Sequence, residues 1–147
     1  MDLRDYVAMI EGSPVPTVMF EYRESTDLDA PLVAAALVDV LKDGLSMVYS
    51  FFDPDLARNS LGTYVILDHV EIAREAGLPY VYLGYWVPGS PKMAYKAGFD
   101  ALEIYKAGRW QPIGDPARHS TETHPLSVDP ISEQVARITL PDGRAVR

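Results

Sequence analysis

The 147-residue chain contains no cysteine. That excludes a disulfide, a thiol nucleophile and any iron–sulfur cluster held by thiolates of this chain. No run of about 18 apolar residues occurs, so no segment is expected to span a membrane. The opening MDLRDYVAMIEG lacks the basic and apolar regions of a signal peptide, and a cytoplasmic location is expected. Basic residues are scarce: 13 Lys and Arg stand against 21 Asp and Glu, a net charge of −8. Such a chain has no general affinity for phosphate backbones. Walker, dinucleotide and Gly-x-Ser-x-Gly signatures are missing. His69, His119 and His124 share no ligand spacing, so no metal site is expected.

What is present is globular. Hydrophobic residues make up 48% of the chain, and its length suits one domain with a real core. The charge is uneven. Residues 1–57 hold 3 basic and 11 acidic side chains, whereas residues 58–110 hold 6 and 5. Any nucleic-acid contact must therefore be local, near Arg58, Lys92, Lys96, Lys106 and Arg109; the alternative is a solvated face with scattered cations.

Residues 3–10 read as a short amphipathic helix ended by Gly12-Ser13-Pro14. A strand at 15–23, a polar loop at 24–30, and apolar runs at 31–41 and 45–52 joined by Lys42-Asp43-Gly44 predict an antiparallel meander. The pattern from 60 to 76 is helical, Gly77 stops it, and residues 80–86 form a nearly all-apolar strand. Strand, helix and strand with short joints make a βαβ unit, with strands 45–52 and 80–86 parallel in one sheet. Gly84 inside the second strand points to a bulge or close backbone approach. Residues 87–91 read as a loop, 92–97 as one or two helical turns, 101–107 as a strand and 108–110 as a turn. A surface loop is expected at 114–125. A helix is expected at 130–138, with Ile131, Val135 and Ile138 on one side.

Chemistry in a βαβ unit gathers at the strands' carboxyl ends and the helix N-terminus. Asp53, Arg58, Ser60, Gly62, Tyr85 and Trp86 fall there. Asn59 or Ser60 can cap the helix, and Gly62 leaves its first turn open to a ligand; an ordinary capped helix is the plain alternative. Asp53 could hold or deprotonate an attacking amine, or simply start a turn before Pro54. Glu21 and Arg23 read as a surface ion pair or as part of an acceptor pocket. Tyr85 and Trp86 are either core or the lining of a pocket. Lys92 and Lys96, four apart with Tyr95 beside them, would share a helical face and suit a carboxylate or phosphate, or they are solvated lysines.

Three stretches, FFDPDLARNSLGTY, LPYVYLGYW and KMAYKAGFDALE, carry a resemblance that runs over roughly residues 14–110. In this order they resemble the C-terminal domain of the aminoacyl-tRNA–protein transferases of the N-end rule pathway, nearest to the bacterial aspartate/glutamate leucyltransferase type. The resemblance implies an α/β (α+β) GNAT-like acyltransferase fold, a mixed sheet with an antiparallel meander and a βαβ unit. The core would span about 14–113, with 114–147 a surface loop and C-terminal helix. It also implies transfer of leucine from aminoacyl-tRNA to proteins with N-terminal Asp or Glu, marking them for degradation. The donor would approach Arg58, Asn59, Ser60, Gly62, Tyr64 and Trp86. The acceptor would meet Lys92, Lys96, Arg23 and Tyr95. Asp53, Glu21 and Tyr85 are the candidates at the reacting centre.

The implied reaction needs no cofactor in this chain. The family's upstream cysteine-cluster domain, which can carry an iron–sulfur centre, would end near Met1, so the chain is expected to be a truncated piece or a naturally short form. Full activity is not expected of it alone. Where the family commonly has cysteine, this chain has Ser90, which argues against indispensable thiol chemistry there. The acyltransferase pyrophosphate loop, Gln/Arg-x-x-Gly-x-Gly/Ala, is matched only loosely, because Leu61 takes its first glycine position. Two other readings stay open: an N-acyltransferase using acetyl-coenzyme A, and a non-catalytic module that binds acidic N-termini.

Overall fold

The computed structural model describes residues 2–119 and 135–140. Helix α1 (Leu3–Glu11) opens with a reciprocal cap: Asp5 N donates to Asp2 and Asp2 N to the Asp5 carboxylate, at 2.9 and 3.1 Å. Strands β1 (Thr17–Arg23), β2 (Leu32–Val40) and β3 (Gly44–Phe52) form the expected antiparallel meander. A 3₁₀ helix (Pro54–Asn59) leads into α2 (Leu61–Glu75), and β4 (Tyr80–Tyr85) returns parallel to β3. Strands β5 (Leu102–Lys106), β6 (Arg109–Pro112) and β7 (Val135–Thr139) complete one sheet in the order β1-β2-β3-β4-β7-β5-β6. No helix among the described residues is long and apolar enough to cross a membrane.

Helix α2 is held to the sheet by a stripe of Val65, Ile66, His69 and Ala73, all buried. The stripe meets Ala34, Ala36, Val38, Leu45, Val81 and Leu83 in the core. The helix approaches the sheet at β3 and β4, and the alanines of β2 pack in the same core with the β-branched residues. The helix stops in a Schellman turn: Leu78 N reaches Ala73 O at 2.8 Å and Gly77 N reaches Arg74 O at 3.1 Å. Gly77, at φ +70°, supplies the left-handed residue this turn needs.

His69 is the one buried polar residue among those described, at 0% exposure. Its Nδ1–H donates to Val65 O at 2.7 Å, and its ring meets Phe20 edge-on at 4.9 Å. Nε2 has no protein partner. The neighbouring Tyr22 hydroxyl, 3.4 Å from Nδ1, donates instead to Asp68 at 2.7 Å. Burial pushes the Tyr22 phenol up, with Asp68 adding to it. Burial likewise lowers the His69 pKa, against the opposing pull of the Val65 carbonyl and Asp68. The fold therefore binds the neutral imidazole, and the unfolded chain takes up a proton first as pH falls. The contribution is complete above about pH 6.5 and shrinks below it, at a slope of up to about 1.4 kcal/mol per pH unit. Urea unfolding between pH 7.5 and 5 should show this slope, and His69→Gln should remove it from the difference curve. A parallel pH dependence in both proteins would contradict the assignment.

Two expectations are corrected. Residues 135–138 are not helical. They belong to β7, which lies between β4 and β5 and pairs antiparallel with both. Ala136 and Ile138 alternate into the core at 0% and 5% exposure, while Arg137 points to the other face. The spacing 131, 135, 138 fits a helix as well as a strand, and pairing on two sides decided it. Residues 135–139 are thus part of the sheet; residues 130–134 of the expected helix, and the second half of the loop expected at 114–125, lie outside the described residues. Arg109 and Trp110 are not a turn but the start of β6. The turn is Ala107-Gly108, both at positive φ, as a two-residue hairpin requires.

Candidate active site

Strands β3 and β4 pair only over Gly44–Ser46 and Tyr80–Tyr82. Beyond that they part, and each carries an irregularity at the point of parting. On β3, Val48 is the extra residue, since Val38 opposes Met47 and Leu37 opposes Tyr49. On β4, Leu83 is skipped between the pairs Tyr82–Arg137 and Gly84–Ala136, and Gly84 sits at φ +70°. Bulges bend the strand that carries them, so two facing bulges open a V in the sheet. Main-chain groups along the two edges are left without a ladder partner across the gap.

The gap is a cleft of about 590 Å³. Met47, Val48 and Tyr49 form one wall, Leu83, Gly84 and Tyr85 the other, and Gly62 and Ile66 of α2 the floor. Met93, Tyr95 and Lys96 close it from the segment after β4. Lys96 is its only charged lining residue among those described. Its ammonium donates to Leu83 O at 2.8 Å and Tyr85 O at 3.2 Å, two carbonyls of the opened β4 edge. Burial lowers the Lys96 pKa, and burial raises that of Tyr95. Three donors on an ammonium and two carbonyls engaged leave one N–H for a ligand.

Of the residues singled out from sequence, the fold brings Gly62, Tyr85, Tyr95 and Lys96 together. Ser60 stands at the start of α2, but it is left-handed (φ 52°) and its side chain makes no capping hydrogen bond; the 3₁₀ helix before it takes up the approach to the helix. The side chains of Arg58 and Asn59 are not among those described. Tyr64 is exposed and edge-on to Tyr22 at 6.0 Å, outside the cleft lining. Trp86 is corrected to core: it is 3% exposed, edge-on to His119 at 5.6 Å, and absent from the cleft. One residue past Tyr85, the chain has turned inward.

The other charged candidates also stand apart. Asp53 accepts from Asp55 N at 2.9 Å and caps the 3₁₀ helix. Glu21 pairs with Arg23 at 2.7 Å on β1, and Arg23 also donates to Ala30 O at 2.8 Å. Strand β2 separates that pair from β3. Lys92 is exposed and does not line the cleft, because the helical turn starts only at Ala94 and is 3₁₀, so the i, i+4 relation to Lys96 is lost. Sequence reasoning missed Met47, Val48 and Met93. Only the bulge at Gly84 had a visible signal, and nothing local marks the one at Val48.

Tyr95 packs directly on Gly62: a Cβ built there would lie 3.4 Å from the phenol carbon and oxygen. Gly62→Val should push the ring into the cleft and weaken binding of a ligand there about tenfold, with little loss of stability, as expected where a half-exposed ring can move. Equal losses in ligand binding and in thermal unfolding would make Gly62 a structural residue only.

A family model described as "Arginine-tRNA-protein transferase, C terminus" matches residues 1–106. The chain belongs to this family. Among relatives of this transferase family, the chain is 66% identical over 149 residues to the aspartate/glutamate leucyltransferase of Dinoroseobacter shibae, covering 97% of this chain and 52% of that protein. It is 65% identical over 147 residues to that of Cereibacter sphaeroides, covering 99% and 52%. The chain thus spans about half the length of the curated relatives it matches. In fold it is similar to a GNAT-family acetyltransferase from Staphylococcus aureus Mu50, with TM-score 0.58 and 14% identity over 96% of this chain and 81% of that one. It is also similar to the ribosomal-protein-S18-alanine N-acetyltransferase of Escherichia coli, with TM-score 0.52 and 16% identity over 95% and 77%. The fold is GNAT. With no cysteine in this chain, none of its residues fits an iron–sulfur centre, and no step below runs through one.

Proposed function

We propose that this chain is the catalytic part of a cytoplasmic enzyme that transfers leucine from aminoacyl-tRNA to proteins beginning with Asp or Glu, marking them for degradation. The observation that carries the reading is a cleft with mostly apolar walls and, among the described residues, a single cation, Lys96. The names of the relatives, aspartate/glutamate leucyltransferases, support it. Met47, Ile66, Leu83 and Met93 suit a leucyl side chain. The cleft's described lining has no carboxylate that could receive an arginyl guanidinium. The free N–H of Lys96 suits the acceptor's Asp or Glu side chain.

The neutral α-amine of the acceptor attacks the ester carbonyl of the donor. A C–N bond forms, the C–O ester bond breaks, and the 3′-oxygen of the tRNA leaves with the proton the amine gives up. The ester is already activated, so this step draws on no ATP and on no cofactor of this chain. The protein's part is to hold both partners and to stabilise the oxyanion. Main-chain N–H groups of the β4 edge beyond Tyr82, where β3 no longer pairs with it, are our candidates to donate to that charge, and the Tyr85 and Tyr95 hydroxyls, which line the cleft, are our candidates to pass the proton. Asp53 and Glu21 have no part in this scheme, since neither reaches the cleft.

The test is transfer of labelled leucine and arginine from charged tRNA to peptides beginning with Asp, Glu and Ala. It should be run with this chain alone and with this chain joined to the upstream half of a full-length relative. Leucine should pass to the Asp and Glu peptides only. Preference for arginine, or equal labelling of the Ala peptide, would overturn the reading.

A further inference from the structure

A second, open cavity of about 420 Å³ lies between the β5–β6 turn and residues 113–119. Lys106, Arg109 and Arg118 line it, with Asp115 as the one carboxylate among the described lining residues. Asp115 is engaged locally: it accepts from Ala117 N at 3.0 Å and lies 3.8 Å from Arg118 Nε. Three cations against one acid among the described lining residues make this a positive spot on a chain whose net charge is −8. Nothing in the cleft chemistry uses it.

Its position gives it a use. Strands β4 and β5 both run antiparallel to β7, so they point the same way. Tyr85 opposes Val135 and Ile104 opposes Ala136, which places the Lys106 end of β5 level with Tyr85 at the cleft mouth. Only β7 lies between β4 and β5, a lateral distance of about 10 Å. The link is also physical. His119, in the cavity wall, donates to Ile113 O at 2.7 Å and meets the ring of Trp86, the residue after Tyr85, edge-on at 5.6 Å.

We propose that this cavity binds backbone phosphates of the donor RNA, next to the 3′ end whose ester enters the cleft. The proposal rests on the aminoacyl-tRNA reading above. Exposed cations add little to the fold itself. Facing a polyanion they gain through counterion release, and guanidinium groups match phosphate geometry. A patch of this size adds affinity and register without sequence preference.

The test uses this chain, alone and joined to the upstream half of a full-length relative, with Lys106→Gln, Arg109→Gln and Arg118→Gln combined, and two donors: leucyl-tRNA, and leucyl-adenosine, which has no phosphate. KM for leucyl-tRNA should rise about 10- to 100-fold, with kcat and the KM for leucyl-adenosine unmoved. The slope of log affinity for tRNA against log salt should fall by about two, roughly 0.7–0.9 per lost phosphate contact. Equal KM changes for both donors, no change for either, or a raised KM for an acidic protein acceptor alone would overturn the proposal. Should the unsubstituted protein transfer no leucine, the proposed function fails. Filter retention of uncharged tRNA, with and without the substitutions, would still decide the cavity's role.

Discussion

Lys96→Met should lower transfer to Asp- and Glu-peptides by about one to three orders of magnitude, the scale of a lost charged hydrogen bond of roughly 1.5–3 kcal/mol plus misplacement of the acceptor. The ammonium does two jobs at once. It ties the segment after β4 to Leu83 O and Tyr85 O, and it leaves one N–H toward the cleft. Methionine keeps the length and apolar stem but removes every donor. If Lys96 selects the acceptor, an Asp-peptide should suffer far more than an Asn-peptide, since the uncharged analogue never gained the pair. Equal losses for the two would reduce Lys96 to a prop for the β4 edge. The pH profile gives a second check. Burial lowers the Lys96 pKa, so the ammonium is lost on raising pH below the ordinary lysine range near 10.4. Preference for Asp over Asn should decline along that same alkaline limb.

Gly44→Ala should destabilise the domain by about 2–4 kcal/mol, in the upper range for overpacking a site that cannot relax. A Cβ at residue 44 would sit 2.5 Å from Tyr80 O, a backbone atom of the neighbouring parallel strand. Gly44 and Tyr80 are opposed at the closed end of the V. The two strands could make room only by separating at the point that sets the width of the cleft. The constraint is space rather than dihedral freedom: positive φ is found at Gly77 and Gly84 but not here. Denaturant unfolding measures the loss, and a shift below about 0.5 kcal/mol, the size of an ordinary surface change, would show that the strands tolerate the spread.

Much of the frame was legible in the order of residues. Local signals agreed with the tertiary outcome for the meander, the Asp43-Gly44 hairpin, the Gly77 stop and the βαβ unit, because each depends on short-range periodicity and on turn residues. The tail did not yield to that reasoning. Ala136 and Ile138 become strand residues because β4 and β5 offer them two edges, and neither edge is near them in sequence. Lys92 and Lys96 look like partners along the chain, yet a short 3₁₀ turn admits only Lys96 to the cleft. Tyr85 and Trp86 read alike in sequence, as core or as pocket lining, yet Tyr85 lines the cleft and Trp86 is core, since a single step past a strand end can reverse which side a ring faces.

The sequence by itself determined the family and the α/β order that leads to the GNAT fold. Its motifs and hydrophobic periods are local and survive any detail of packing. It also determined that no thiol of this chain could take part, and that any contact with RNA must be confined to a few cations. Only the tertiary structure decided which candidates share a site. It gathered Gly62, Tyr85, Tyr95 and Lys96 at the V between β3 and β4, and it left Asp53 to a cap and Glu21 to Arg23. The physical reason is that the V arises from two bulges on separate strands, Val48 and Leu83. A bulge is a property of pairing between strands: Gly84 marks one of them in sequence, but no residue pattern in β3 marks the other, and neither tells that the two face each other.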